Sequence, residues 1–192
     1  EDQQSAKNIG INFIGMQSDR KLVKNGNNIF SDSDGTASDL FKAYIGGLQK
    51  YMPHALLVFA PYPNSYRRFL SYWSSPVNLG WAVDNRTVGL RVPDSDPESR
   101  RVENRIAGAD VNPYLVLAST LACGYLGMVE GCKPDNPIDG SAYDLPFSLH
   151  RYIYEAIDAF EGSQAMRKML GDKFVSLYSD VKKKECSEFQ EI

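Results

Sequence analysis

The sequence predicts an α+β fold in which an antiparallel sheet packs against helices, and three observations predict it. Three strand-length segments, Val77 to Val83, Val88 to Val92 and Arg101 to Ile106, follow one another too closely for helices to intervene. Longer stretches with helical apolar spacing flank them, the longest running from Pro113 to about Glu130. The 192 residues are 43% hydrophobic and 23% charged, enough to bury one substantial core, and no internal repeat or low-complexity linker divides them.

Taken in order, Glu1 to Asn8 is polar, carries no element signal and opens without Met, so the chain reads as entered partway through a larger protein. Ile9 to Gln17 alternates loosely and is expected to be a strand, whereas Asp19 to Asp34, rich in Asn, Asp, Ser and Gly, is expected to be a loop. Ser38 caps a helix of about four turns in which Phe41, Tyr44, Ile45, Leu48 and Met52 share a face, ended by Pro53. A short apolar run, Ala55 to Phe59, leads through Pro61 and Pro63 into the polar and aromatic segment Asn64 to Trp73.

Asp84-Asn85-Arg86 reads as the turn joining the first two strands. Asn112-Pro113 is a helix start with a mechanism, since Asn caps free N–H groups and Pro suits the first helical position. That helix is apolar on most faces, which predicts burial; Gly124 and Gly127 permit close packing and Gly131 stops it. After a loop from Lys133 to Pro146, Ser148 opens an amphipathic stretch to Phe160, and Ser163 to Leu170 and Lys173 to Phe189 add further helical turns.

With 21 basic and 24 acidic residues the formal net charge is −3, so nothing pulls the chain globally toward nucleic acid or acidic membranes. The run Lys182 to Lys184 reads as a solvated helix face. There is no apolar run of about 18 residues and no secretion signal, and the expectation is an intracellular, cytoplasmic protein without a transmembrane segment. Cys123, Cys132 and Cys186 are odd in number and unpaired in spacing, as for free, buried or half-buried thiols. His54 and His150 read as packing residues, and Trp73 and Trp81 as a cleft wall, sheet core or subunit contact.

The chemistry concentrates between Asn64 and Arg105. In Arg101-Val102-Glu103-Asn104-Arg105, strand alternation places Arg101, Glu103 and Arg105 on one face, two guanidiniums flanking a carboxylate. Arg68, Arg86 and Arg91 lie in neighbouring segments, and Arg91 interrupts the apolar strand Val88 to Val92, where a charge is costly unless paired or facing a polar cleft. Guanidinium forks bind carboxylate and phosphate at two points. On composition alone, a solvated sheet face with surface ion pairs is the plainer reading.

Five linked segments shift that balance: Asn64-Ser65-Tyr66-Arg67-Arg68, Asp84-Asn85-Arg86-Thr87, Leu90-Arg91-Val92-Pro93, Arg101 to Arg105, and Gly108-Ala109-Asp110-Val111-Asn112-Pro113-Tyr114-Leu115. In order and spacing they resemble the C-terminal part of the glutamine synthetase catalytic domain, and the resemblance runs from about Gly10 onward. The wording of Ser65 to Phe69 and Ala107 to Asp110 is closest to the gamma-glutamylpolyamine synthetase branch. The resemblance implies that residues 1–192 are one portion of that domain, with the N-terminal beta-grasp domain absent. It also implies an ATP-dependent ligase that activates glutamate as gamma-glutamyl phosphate for attack by ammonia or an amine. In that scheme Arg68 and Arg105 contact glutamate carboxylates, Arg86, Arg91 and Arg101 contact ATP phosphates or the transferring phosphoryl group, and Glu103 ligates Mg or Mn. A homo-oligomeric ring is implied as well.

The same resemblance exposes departures. Where the family carries a His-x-His-x-Ser pattern, this chain has Ile14 and Met16 ahead of Ser18, and its only histidines are His54 and His150. The family's flap glutamate falls at Ser74, and its nucleotide-contacting lysine at Pro97 or Glu98. Two classes of function therefore stand side by side: part of a glutamate–amine ligase, or a noncatalytic structural or assembly subunit of the same fold.

Overall fold

The computed structural model describes residues 11–14, 17–69 and 75–190. A five-stranded sheet is formed by β1 (Ile11–Ile14), β2 (Gln17–Arg20), β5 (Trp81–Val83), β6 (Leu90–Val92) and β7 (Val102–Asn104), in the order β1-β2-β7-β6-β5. A separate hairpin pairs β3 (Val23–Lys24) with β4 (Asn27–Asn28). The stretch expected to be a loop from Asp19 to Asp34 thus contains the second half of β2 and this hairpin. Its polar composition hid a tight turn at Asn25-Gly26, both in the left-handed region at φ 52 and 85, the signature of a two-residue hairpin loop.

The α+β expectation holds, and the sheet is antiparallel except at one pair. β5 and β6 run parallel, Trp81 opposite Leu90 and Val83 opposite Val92. Parallel neighbours usually need a long crossover. Each strand here has only three residues, about 10 Å of chain, so the six residues 84–89 suffice to carry the backbone back to its starting level. Asp84-Asn85-Arg86 begins this return and is not a hairpin turn.

Helix α1 (Asp39–Tyr51) begins as expected: Ser38 Oγ accepts from Phe41 N at 3.1 Å and donates to Ile29 O at 2.8 Å, fixing the helix start to the preceding chain. Phe41, Tyr44, Ile45 and Leu48 point inward, and Phe30 wedges against Phe41 and Tyr44 with ring centroids 5.1 Å apart in each pair. A 3-10 turn, Met52–Ala55, then continues into the single turn α2 (Leu56–Phe59), all of it buried except around Pro53 and His54.

Helix α3 (Pro113–Glu130) is capped by Asn112 Oδ1, which accepts from the N–H groups of Tyr114 and Leu115, and closed by Gly131 at φ 63. It crosses α1 at backbone contact: a Cβ on Gly127 would lie 2.3 Å from Gly47 Cα, and one on Gly124 would enter the Tyr44 ring. Among the described residues α3 is the one helix long and apolar enough to cross a membrane. Its Val116, Ser119, Thr120, Cys123 and Gly127 face is built into the core, however, while Tyr114, Tyr125 and Val129 are exposed. With Ala122, Gly124 and Leu126 also buried, the expected burial holds over a broad arc of the helix and fails at these exposed positions.

α4 (Ile153–Glu161), α5 (Gln164–Leu170) and α6 (Asp172–Gln190) complete the helical layer. α4 starts five residues later than expected because Ser148 is taken by the sheet side: its N–H donates to Val77 O and its Oγ accepts from Leu79 N. Lys182 is also corrected. It is buried, its ammonium 4.1 Å from the Tyr62 ring centre and 2.7 Å from Glu185, so only Lys183 and Lys184 form the solvated face. The three cysteines are free, Cys123 and Cys186 buried and Cys132 half-buried. Trp81 packs against the core and donates to Asp135 O at 2.7 Å; Trp73 lies outside the described residues.

Candidate anion-binding site

Alternation along β6 and β7 divides the sheet into two faces. Leu90, Val92 and Val102 turn to the helices and join the main core. Asn104 does the same, donating to Thr120 of α3 at 3.2 Å while accepting from Ile106 N. The intervening residues, Arg91 and Glu103, are directly opposite each other in the register and occupy the other face.

On that face Arg91 Nη1 donates to Glu103 Oε2 at 3.0 Å, and Arg105 Nη1 lies 3.6 Å from Glu103 Oε1. Arg91 Nη2 pairs in addition with Asp84 Oδ1, at the end of β5. The Glu103 side chain is 3% exposed, and a carboxylate so placed is tolerated because two guanidiniums surround it. Burial works against the Arg91 charge, but the hydrogen bonds with Asp84 and Glu103 outweigh it and raise its pKa. The Nε atoms of Arg91 and Arg105 are buried with no acceptor. Two positively charged forks thus retain unused donor capacity beside one fixed carboxylate.

The other expected residues surround this trio at differing distances along the chain. Arg101 precedes β7, half-buried, donating to Ser99 O at 3.2 Å. Its neighbour Arg100 clamps the loop after β4, donating to Ser31 Oγ at 2.5 Å, Thr36 O at 2.8 Å and Gly35 O at 3.0 Å. Asn28 reinforces this with bonds to the carbonyls of Pro97, Glu98 and Arg100, so the approach to β7 is rigidly held. Arg86 is exposed on the β5–β6 connection, whose flanking Asn85 and Thr87 are fixed to Gly140 and Ala142.

Arg68 lies apart, in the 3-10 segment Pro63–Phe69. Its Nη2 donates to Phe59 O at 2.9 Å and also to Ile106 O, and its guanidinium lies 4.3 Å from the Phe69 ring centre. Burial lowers its pKa to about 10, with nearby Asp110 pulling the other way. Asp110 accepts from Ser65 Oγ. Among the described residues the structure therefore joins Arg91, Glu103 and Arg105 directly, and places Arg101 and Arg86 on adjoining segments. It joins Arg68 to the chain one residue beyond Arg105.

Sequence reasoning missed Asp84, read as a turn residue. The signal for it was the lone charge Arg91 in an apolar strand, which implied a carboxylate nearby without saying which. Met16 and Ser74, two of the departures noted above, lie outside the described residues, and Ile14 is placed in β1 by its backbone.

Comparison with known proteins shows the family. Residues 7–192 match the family described as glutamine synthetase, catalytic domain. The chain is 35% identical over 186 residues to gamma-glutamylputrescine synthetase of Escherichia coli, covering 93% of this chain and 37% of that protein. It is 32% identical over 196 residues to a glutamine synthetase of Methanosarcina mazei, covering 96% and 44% respectively. It is 34% identical over 155 residues to a glutamate–isopropylamine ligase of a Pseudomonas species, covering 79% and 34%. The chain belongs to the glutamine synthetase family, and it spans about two-fifths of the length of these relatives.

The donor set bears on the divalent cation. Mg takes about six oxygen donors, several of them commonly waters and substrate phosphates beside one or two carboxylates. Among the described residues no group of three or more His, Cys, Asp or Glu side chains converges, and Glu103 is held by Arg91 and Arg105. The described residues thus offer Glu103 as one donor, and their guanidiniums suit an oxyanion.

Proposed function

We propose that this chain supplies the glutamate- and phosphate-binding half of an ATP-dependent glutamate–amine ligase, acting through gamma-glutamyl phosphate as part of a longer polypeptide. One observation carries the reading: Arg91, Glu103 and Arg105 are assembled on one face of the sheet, opposite the face that joins the main core. Named relatives that join glutamate to putrescine or isopropylamine support the reaction class.

In this reading Arg105 and Arg68 hold the carboxylates of glutamate. Arg91 and Arg101 hold phosphate oxygens of ATP, and Arg86, exposed on its connection, meets the transferring phosphoryl group as negative charge spreads over its oxygens. Such transfer needs positioning and fixed positive charge more than covalent help, which suits a cluster of rigidly tethered arginines. ATP supplies the γ-phosphoryl group and leaves as ADP, and the amine then displaces inorganic phosphate from gamma-glutamyl phosphate. Glu103 bridges the two guanidiniums; as a Mg or Mn ligand it requires further donors from the rest of the longer polypeptide. Ammonia or a polyamine is the attacking amine, a homo-oligomeric ring is the assembly, and the compartment is the cytoplasm.

A second reading, a noncatalytic structural or assembly subunit, is favoured by Ile14 and Met16, because neither side chain can take the place of an imidazole ligand. One experiment separates the two. The full-length polypeptide with ATP and Mg or Mn should release phosphate only when glutamate and either ammonia or putrescine are present. Arg105→Ala should lower that rate by about 100-fold or more. Release no greater than in Arg105→Ala selects the noncatalytic subunit.

A further inference from the structure

We propose that the Asp84 carboxylate is an internal counterion holding the place of a ligand phosphate on Arg91, and that an incoming phosphate group displaces it. The inference rests on the anion-site reading above and adds a residue to it. Arg91 carries two carboxylates, Glu103 on Nη1 and Asp84 on Nη2, and the two are not equivalent. Glu103 is 3% exposed and shared with Arg105, so removing it would strand two partly buried cations. Asp84 is 57% exposed, and among the described residues Arg91 is its one ion-pair partner. Water is therefore ready to solvate Asp84 when it lets go, and an ion pair with one solvent-exposed partner is weaker than a fully buried one.

The backbone is arranged to deliver this side chain. Asp84 adopts φ 46, in the left-handed region that disfavours residues other than glycine, and its N–H donates to Val92 O at 2.8 Å. The next residues are tied down separately: Asn85 donates to Gly140 O at 2.7 Å, and Thr87 Oγ1 accepts from Ala142 N at 2.8 Å. The Asp84 side chain can thus swing out while the connection bearing Arg86 stays in place.

Charge gives the exchange a purpose. Arg91 and Arg105 are balanced by Glu103 and Asp84, so the resting cluster is neutral and attracts a monoanion such as chloride poorly. A phosphate brings more charge and several acceptor oxygens, and so competes for the Arg91 Nη2 that Asp84 holds where chloride does not.

The test is a calorimetric titration of the full chain with inorganic phosphate at neutral pH, at low and high chloride. Asp84→Asn is expected to bind phosphate about 3- to 10-fold more tightly than the parent and to lose more of that affinity to chloride. Asp84→Gly, which accepts the left-handed backbone, should do the same, so a folding defect confined to one variant is recognised. Arg91→Met should abolish the gain. Equal or weaker phosphate binding by both Asp84 variants, each shown folded by its thermal transition, overturns the proposal, as does phosphate binding to none of the proteins. The ligase reading fails separately: a protein that releases phosphate from ATP with glutamate yet gains nothing from Asp84→Asn keeps the reaction and loses the counterion. One inert in that assay but tightened by Asp84→Asn does the reverse.

Discussion

The two faces of the central sheet obey different rules although the same strands build both. Toward the helices, Leu90, Val92, Val102 and Ile106 are packed without water, and their neighbours approach until backbone meets backbone at Gly47 and Gly127. On the opposite face the equivalent positions hold Arg91, Glu103 and Arg105, whose contacts are ionic and whose donors are not all satisfied. A close-packed face resists any change of volume. A charged face tolerates changes of shape and responds to changes of charge. Stability should therefore reside in the first and ligand recognition in the second.

The sharpest way to break that division is to overfill the helical side. Gly127→Val puts a branched side chain where even a Cβ would lie 2.3 Å from Gly47 Cα and from Ala43 O, both backbone atoms that cannot turn aside. The expected loss is about 3 kcal/mol or more, enough to abolish a cooperative urea transition in a marginal domain. A full-length folded variant with an unchanged midpoint would show that α1 and α3 are not the rigid foundation described above. Emptying the same layer is milder: Leu90→Ala, on the inner side of β6, should cost about 2–4 kcal/mol in the same measurement.

One residue along the strand, the outcome should change in kind. Glu103→Gln leaves Arg91 and Arg105, with side chains 18% and 11% exposed, without their shared carboxylate. The expected destabilisation is about 1–2 kcal/mol, below the value for a fully buried pair because water reaches both cations. Ligand recognition should change far more than stability, read as a phosphate affinity altered several-fold, about 3-fold or more, with the urea midpoint moved only slightly. If Glu103→Gln instead unfolded the chain as thoroughly as Gly127→Val, the division between the faces would collapse.

The same contrast explains what was legible in the sequence. Helix starts at Ser38, Asn112 and Ser163 were readable because each uses a local side chain to cap its own backbone. Glu103 and Arg105 could be assigned to one face because strand alternation is also local, whereas Arg101, expected beside them, precedes the strand. What was not legible depends on partners distant in the chain. The parallel pairing of β5 with β6 is set by a short return through residues 84–89, which resembles a turn in composition. Asp84 acquires its role only when β6 brings Arg91 alongside. Lys182 reads as a surface lysine until Tyr62, 120 positions earlier, is folded against it. Ser148 carries every local mark of a cap, yet Leu79 and Val77 claim it first.

The smallest expected effect tests whether an exposed ionic cluster on the helical side behaves like the outer face. At the ends of α1 and α3, Glu130 accepts from Lys50 Nζ at 2.7 Å and from the Tyr51 hydroxyl at 2.6 Å. The hydrogen bonds from Lys50, then Tyr51, hold the Glu130 carboxyl below its ordinary value of 4.5. A carboxyl with a depressed folded-state pKa binds fewer protons folded than unfolded, so its contribution is complete above pH 4.5 and disappears as pH falls through the depressed value. Urea midpoints of the parent and Glu130→Gln should therefore differ slightly at pH 7 and converge as the pH falls below the depressed value. Because the group is open to solvent, the gap should also shrink in high salt. A gap that persisted unchanged at pH 3 would mean that Glu130 acts through packing of its methylenes against α1, making even this ionic contact part of the close-packed face.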